Sequence, residues 1–263
     1  MTVDLKKLEG TKALLDPISG ESRRRAPVPL GHDAADRMLR GGIARGVLHE
    51  VFAADASAAA AGFAAGLAQR VRGRKRLLWI RQDYAALEHG EIAPTGLAEL
   101  GIDPSDLLLL RTADATDALR AAADALSCVA LGAVIAEIPG NPKILDLVAS
   151  RRLVLAAQTR GVTAVLLRPG AQVEPSAAET RWSIRAGPSA AHDATYDDWG
   201  MPRFDAELTR NRHGETGRWA MEWSCDDGAF RSAYDQAADT GAVAAAAADR
   251  PPAPQERDWR RAG

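Results

Sequence analysis

At 263 residues, with 46% hydrophobic and 26% charged residues and a formal net charge of −2, the chain is sized for one good core. It carries no global field toward DNA or membrane, so any nucleic-acid contact must come from local arginine patches. Cys128 and Cys225 lie far apart without metal spacing, which excludes a readable disulfide framework or zinc site and predicts two buried thiols.

Residues 1–27 read as a polar N-terminal arm, with a helical candidate in VDLKKLEGTKALL and a basic stretch, SRRRAP, at 22–27. MTVDLKKLEG has no apolar signal-peptide core, and no apolar run approaches the roughly 20 residues of a membrane span. The expectation is a cytoplasmic protein without membrane contact. From Val28 the periodic pattern begins. HDAADRMLRGG is a short helix closed by Gly41 and Gly42, VLHEVF (47–52) a strand, and SAAAAGFAAGLAQRVR (57–72) a helix. LLWIRQD (77–83) is a strand; LAELGIDPSDLLLLRT holds a short helix, a turn and a strand; residues 114–128 form a helix capped by Asp114. LGAVIAEIP (131–139) is a fully buried strand. The segment 143–161 is a helix whose core stripe is expected at Ile144, Leu147, Val148, Val154 and Leu155. VTAVLLRP, TRWSIRAGP, PRFDAELTRNR and RWAMEWS complete the strands, the last two joined by a turn at HGETG. The alternation predicts a mostly parallel sheet flanked by helices with an antiparallel C-terminal extension, an α/β fold. A core domain is expected over 28–230, followed by a disordered Ala/Pro-rich tail over 231–263 in which Trp259 stands among charges.

In this order the elements resemble the core of a RecA-like P-loop NTPase. Gly41, Gly42 and Gly46 in GGIARGVLHEVF hold the places of the glycines that lead into the first strand, and AADASAAAA (53–61) falls on the loop that should read G-x-x-x-x-G-K-[ST]. Ala53 and Ala58 stand where glycine lets the backbone approach phosphate. Ala59 stands for the lysine and Ala60 for the hydroxyl that holds magnesium; Ser57 and the helix N-terminus keep a weak attraction for an anion. Asp83 falls near the catalytic glutamate position of that superfamily and Glu137 at the end of the strand that carries its magnesium-binding acid. Both read as vestigial. The loops IPGNPK and PGAQVEPSAAE occupy the positions of recombinase DNA-binding loops but carry one lysine between them. Arg210, Arg212 and Arg218, in RNRHGETGR, are the candidate contacts for DNA or phosphate.

Taken together with ASRRLVLAAQTRGVTAVLLRP and RNRHGETGRWAMEW, these stretches are similar to the ImuA family over roughly residues 28 to 224. The resemblance implies an accessory protein of DNA-damage-induced (SOS) mutagenesis and error-prone translesion synthesis, with no catalytic residue, metal or cofactor. It implies two partners, an ImuB-like Y-family polymerase relative and an error-prone C-family DNA polymerase, with contact to DNA indirect. Alternative readings are an ATP-dependent recombinase-like ATPase, a SulA-like inhibitor of cell division, and an enzyme built on His32, His49, His89, His192 or His213. The histidines show no partner spacing and read as surface or packing residues.

Overall fold

A computed structural model describes residues 25–55, 57–188 and 201–233. The helical candidate at 3–15, residues 22–24 of the basic stretch, His192 and the tail from residue 234, with Trp259, lie outside the described residues; residues 231 and 232 belong to β9. The elements, in chain order, are α1 (Asp33–Met38), β1 (Leu48–Ala53), α2 (Ala59–Arg72), β2 (Arg76–Gln82), α3 (Asp83–His89), α4 (Pro94–Glu99), β3 (Leu107–Thr112), α5 (Ala115–Ala125), β4 (Leu131–Glu137), α6 (Leu147–Arg160), β5 (Thr163–Arg168), β6 (Thr180–Ala186), β7 (Arg203–Asn211), β8 (Gly217–Ser224) and β9 (Ala229–Ser232).

The strands form a nine-stranded sheet ordered β3-β2-β4-β5-β1-β6-β7-β8-β9. β3 to β6 in that order run parallel, and β7, β8 and β9 add antiparallel strands. Strand alternation sorts each strand's side chains into two cores. Val51, Trp79, Ile135, Val165, Leu167, Trp182 and Ile184 face α2, while Leu48, Ile80, Val134, Ala164 and Leu166 face α5 and α6. The alanine-rich face of α2 permits close approach to the sheet, and Phe63 fills the remaining space. Its ring lies 5.2 Å from Trp182, 5.6 Å from Phe204 and 4.9 Å from Phe230, so the antiparallel strands close around α2. Gly66 makes this possible: a Cβ there would stand 2.8 Å from Phe230 and 3.0 Å from Trp223.

Four local expectations change. The stripe of α6 is Ser150, Leu153 and Ala157, whereas Ile144, Val148 and Leu155 are 48%, 50% and 63% exposed. Small residues win the buried face because the helix packs close, and the larger side chains on the neighbouring arc point outward. α6 also begins at Leu147, because the Asp146 carboxylate caps Ala149 N at 2.7 Å. α3 and β9 are absent from the sequence reading; β9 follows the turn at Asp227-Gly228 and is pinned by Phe230. Cys128 is exposed and Cys225 only half-buried. Among the described residues, no helix is long and apolar enough to cross a membrane.

Candidate functional site

The carboxyl ends of β1, β2, β4 and β5 open onto a cavity of about 850 Å³ on the α2 side of the sheet, the edge where open α/β sheets place ligands. Alanines of the β1–α2 loop form one wall, Ile92, Leu97 and Leu100 another, and Trp79, Arg81, Glu137 and Leu167 the floor.

Among its described residues, the β1–α2 loop has none of the left-handed backbone from which a phosphate nest is built. Ala58 sits at φ −75°, and Arg40, far from this loop, is the one non-glycine residue with positive φ among the described residues. Asp55 closes the loop on itself. Its Oδ1 accepts from Ser57 N at 3.0 Å and from Ser57 Oγ at 2.5 Å, and its Oδ2 accepts from Ala186 N at 3.0 Å. Ser57 Oγ in turn accepts from Ala59 N, in the first turn of α2, at 3.2 Å. These bonds, that from the Ser57 hydroxyl first, hold the Asp55 carboxyl below the usual carboxylate range. The loop thus carries a carboxylate of its own, and Ser57 is committed to it. Ala53 ends β1, while Ala59 and Ala60 open α2 and present only methyl groups.

Glu137 is 4% exposed. Arg81 grips it from the neighbouring strand: Arg81 Nη2 donates to Oε1 at 3.3 Å, and Nε lies 2.8 Å from Oε2, paired by charge although its N–H is not aimed at the oxygen. Trp79 Nε1 donates to Oε2 at 3.2 Å. Arg81 also donates to the carbonyls of Gly90 (2.7 Å) and Ala85 (3.2 Å), which fixes α3 and the following loop over the floor. The carboxylate at the expected magnesium position is therefore engaged by protein donors on both oxygens. Asp83 stands elsewhere. It is exposed in the first turn of α3, 3.9 Å from Arg111, and does not line the cavity. Among the described residues, no three His, Cys, Asp or Glu side chains converge as a metal cage.

On the opposite face of β1, Glu50 is 2% exposed and receives Arg181 Nε at 2.9 Å and Ser176 Oγ at 2.8 Å. Phe52 lies between the guanidinium groups of Arg168 and Arg181, 5.5 Å from each. Arg168 donates to Ile138 O and Gly140 O, and Asn141 exchanges hydrogen bonds with Gln172. The loops after β4 and β5 are zipped together rather than open. Arg210 belongs to this network, donating to Ser176 O at 2.8 Å. Arg218 is bound through both fork nitrogens to Asp205, and Arg212 is exposed. The three arginines occupy three different settings and do not converge.

Arg81, Trp79 and Asp55 are the residues that sequence reasoning missed. Arg81 and Glu137 each interrupt an apolar strand with a charge, which signals a buried pair, but only the non-sequential pairing of β2 with β4, ending at Ile80–Ala136, brings them together. Protein ImuA of Caulobacter vibrioides strain NA1000/CB15N is 32% identical to this chain over 224 residues, covering 77% of the chain and 86% of the relative. Protein ImuA of strain ATCC 19089/CB 15 matches equally. The chain belongs to the ImuA family. No family model matches it.

Proposed function

We propose that this ImuA-family chain is a non-catalytic, RecA-like accessory protein of DNA-damage-induced mutagenesis, acting as a scaffold for a Y-family polymerase relative during error-prone translesion synthesis. One observation supports the non-catalytic reading: the β1–α2 loop carries the Asp55 carboxylate, while Glu137 is held by Arg81 and Trp79. Adding a nucleotide would bring negative phosphates against a fixed carboxylate with no lysine to offset it. The central β1 followed directly by its loop and α2 supports the RecA-like reading. The scaffold reading draws on edge strand β3, whose Leu108, Leu109 and Leu110 are 41%, 43% and 39% exposed beside an unpaired backbone edge.

Two experiments test it. Magnesium-ATP at 1 mM leaves the melting temperature unmoved, whereas a nucleotide bound with a Kd of about 10 μM would stabilise the chain by about 2.7 kcal/mol. A shift of several degrees, or DNA-stimulated ATP turnover, refutes the non-catalytic reading and favours the recombinase-like ATPase. Deleting the gene abolishes damage-induced mutation but leaves recombination intact, and Leu109→Lys weakens capture of the polymerase relative. Binding to the tubulin-like division protein, with mutagenesis unaffected, would overturn the assignment in favour of the division inhibitor.

A further inference from the structure

At the opposite end of β1, below its amino terminus, GGIARG turns beneath the sheet and lines a second, smaller recess of about 210 Å³. Arg25, Arg40 and Arg45 line it together, facing Glu179, Asn211 and His213. The Glu179 carboxylate is engaged by His213 Nε2 at 3.0 Å. Arg25 is anchored at the end of α6 by the carbonyls of Gly161 and Arg160.

Neither Arg40, which is exposed, nor Arg45, which is partly buried, forms an ion pair among the described residues. Arg45 Nε is fully buried and has no hydrogen-bond partner there. An N–H of a cation withdrawn from water without an acceptor is destabilising, and such groups are normally satisfied. Arg40 has φ 58°, a left-handed conformation that side-chain-bearing residues avoid; with Gly41 and Gly42 it makes three such residues in succession. The turn thus holds an arginine, at a conformational cost, against the recess that Arg45 also lines. The volume is below the range of pockets that enclose whole small molecules and leaves room for a tetrahedral oxyanion with water around it.

We propose that this recess is a phosphate-binding site, with the guanidinium groups of Arg45 and Arg40 as its principal donors. Guanidinium forks match phosphate oxygens in geometry and charge. The site lies at the amino-terminal end of the central strands, away from the degenerate loop, and does not depend on whether the chain is a scaffold or an ATPase. The phosphate is either free or the terminal group of a DNA strand.

The test uses the full chain. Its melting temperature is followed in sodium phosphate up to 20 mM against sodium chloride of equal ionic strength, for the wild type, Arg45→Gln and Arg40→Gly. The wild type gains several degrees specific to phosphate, and both variants lose at least tenfold in apparent affinity. Arg40→Gly also guards against a folding artefact, because glycine relieves the positive φ and keeps the turn. Binding of 5′-phosphorylated and 5′-hydroxyl decadeoxynucleotides then identifies the source. A tenfold preference for the phosphorylated strand, lost in Arg45→Gln, assigns the recess to a strand end. Equal affinities with the inorganic phosphate effect intact assign it to free phosphate. A wild-type response to phosphate no larger than to chloride, or an undiminished response in both variants, overturns the proposal.

Discussion

His49 gives the fold a pH dependence that can be worked through. It is fully buried on β1, and burial drives its pKa from 6.5 down to about 4, against a weaker upward pull from its bond to Ala44. The carbonyl of Ala44 can only accept, so His49 Nε2 carries the proton and donates at 2.9 Å; Nδ1 then accepts from Thr180 Oγ1 at 2.8 Å. Trp182 Nε1 completes the chain by donating to Thr180 Oγ1 at 3.1 Å. A second proton on the imidazole would put a charge in the core and turn Nδ1 from acceptor to donor. The unfolded chain takes up that proton near pH 6.5 and the folded chain only near pH 4, so the unfolded state binds more protons throughout this window. The stabilisation is fully present above pH 6.5 and is lost as pH falls toward 4. With 1.36 kcal/mol per pKa unit, the loss approaches about 3 kcal/mol by pH 4. Urea denaturation of the wild type and His49→Gln at pH 7, 6, 5 and 4.5, followed by tryptophan fluorescence, isolates it from the carboxylates, which titrate in both. The variant starts less stable but falls less steeply, so the two curves converge by roughly 2 kcal/mol between pH 7 and 4.5. Parallel curves, or an imidazole resonance of His49 that titrates near pH 6.5, would refute the reasoning.

Three further outcomes follow from the packing. Arg81→Ala or Glu137→Ala strands a buried charge and costs about 3–5 kcal/mol at neutral pH; Arg81→Met with Glu137→Leu recovers most of that in a double-mutant cycle by urea denaturation. Gly66→Ala drives a methyl into Phe230 and Trp223 and costs about 1–3 kcal/mol by thermal melting, whereas Gly62→Ala, with its nearest atoms 3.6 Å away on Phe204, is neutral or stabilising by up to about 1 kcal/mol. Asp114→Ala removes bonds to Thr116 N and Asp117 N and lowers stability by about 1 kcal/mol, measured the same way.

The legible parts of the chain were those governed by local rules. Asp114 caps α5 as its position before a helical run requires, and LGAVIAE is buried at every residue from Leu131 to Glu137, as its apolar run from Leu131 to Ala136 requires of a central strand. α6 resisted because Leu147, Val148 and Leu155 compete with Ser150, Leu153 and Ala157 for one face at the same spacing. The distance between helix and sheet decides between them, and that distance is a property of the packed layers. β9 was too short to read by alternation, since its stability comes from Phe230 packing against Phe63 and Trp223.

The sequence by itself determined that this chain has a strand–loop–helix frame with alanine at 53, 58, 59 and 60, where the superfamily it resembles has glycine, lysine and hydroxyl, because side-chain chemistry is written residue by residue. Only the tertiary structure decided what takes the place of that chemistry. Asp55 reaches Ala186 because β6 lies beside β1; Arg81 reaches Glu137 because β4 lies beside β2; and Arg40 and Arg45 share a recess because a left-handed turn folds beneath the sheet. Each depends on strand order or backbone handedness, which arise from closing the whole sheet around its helices and from no single stretch of residues.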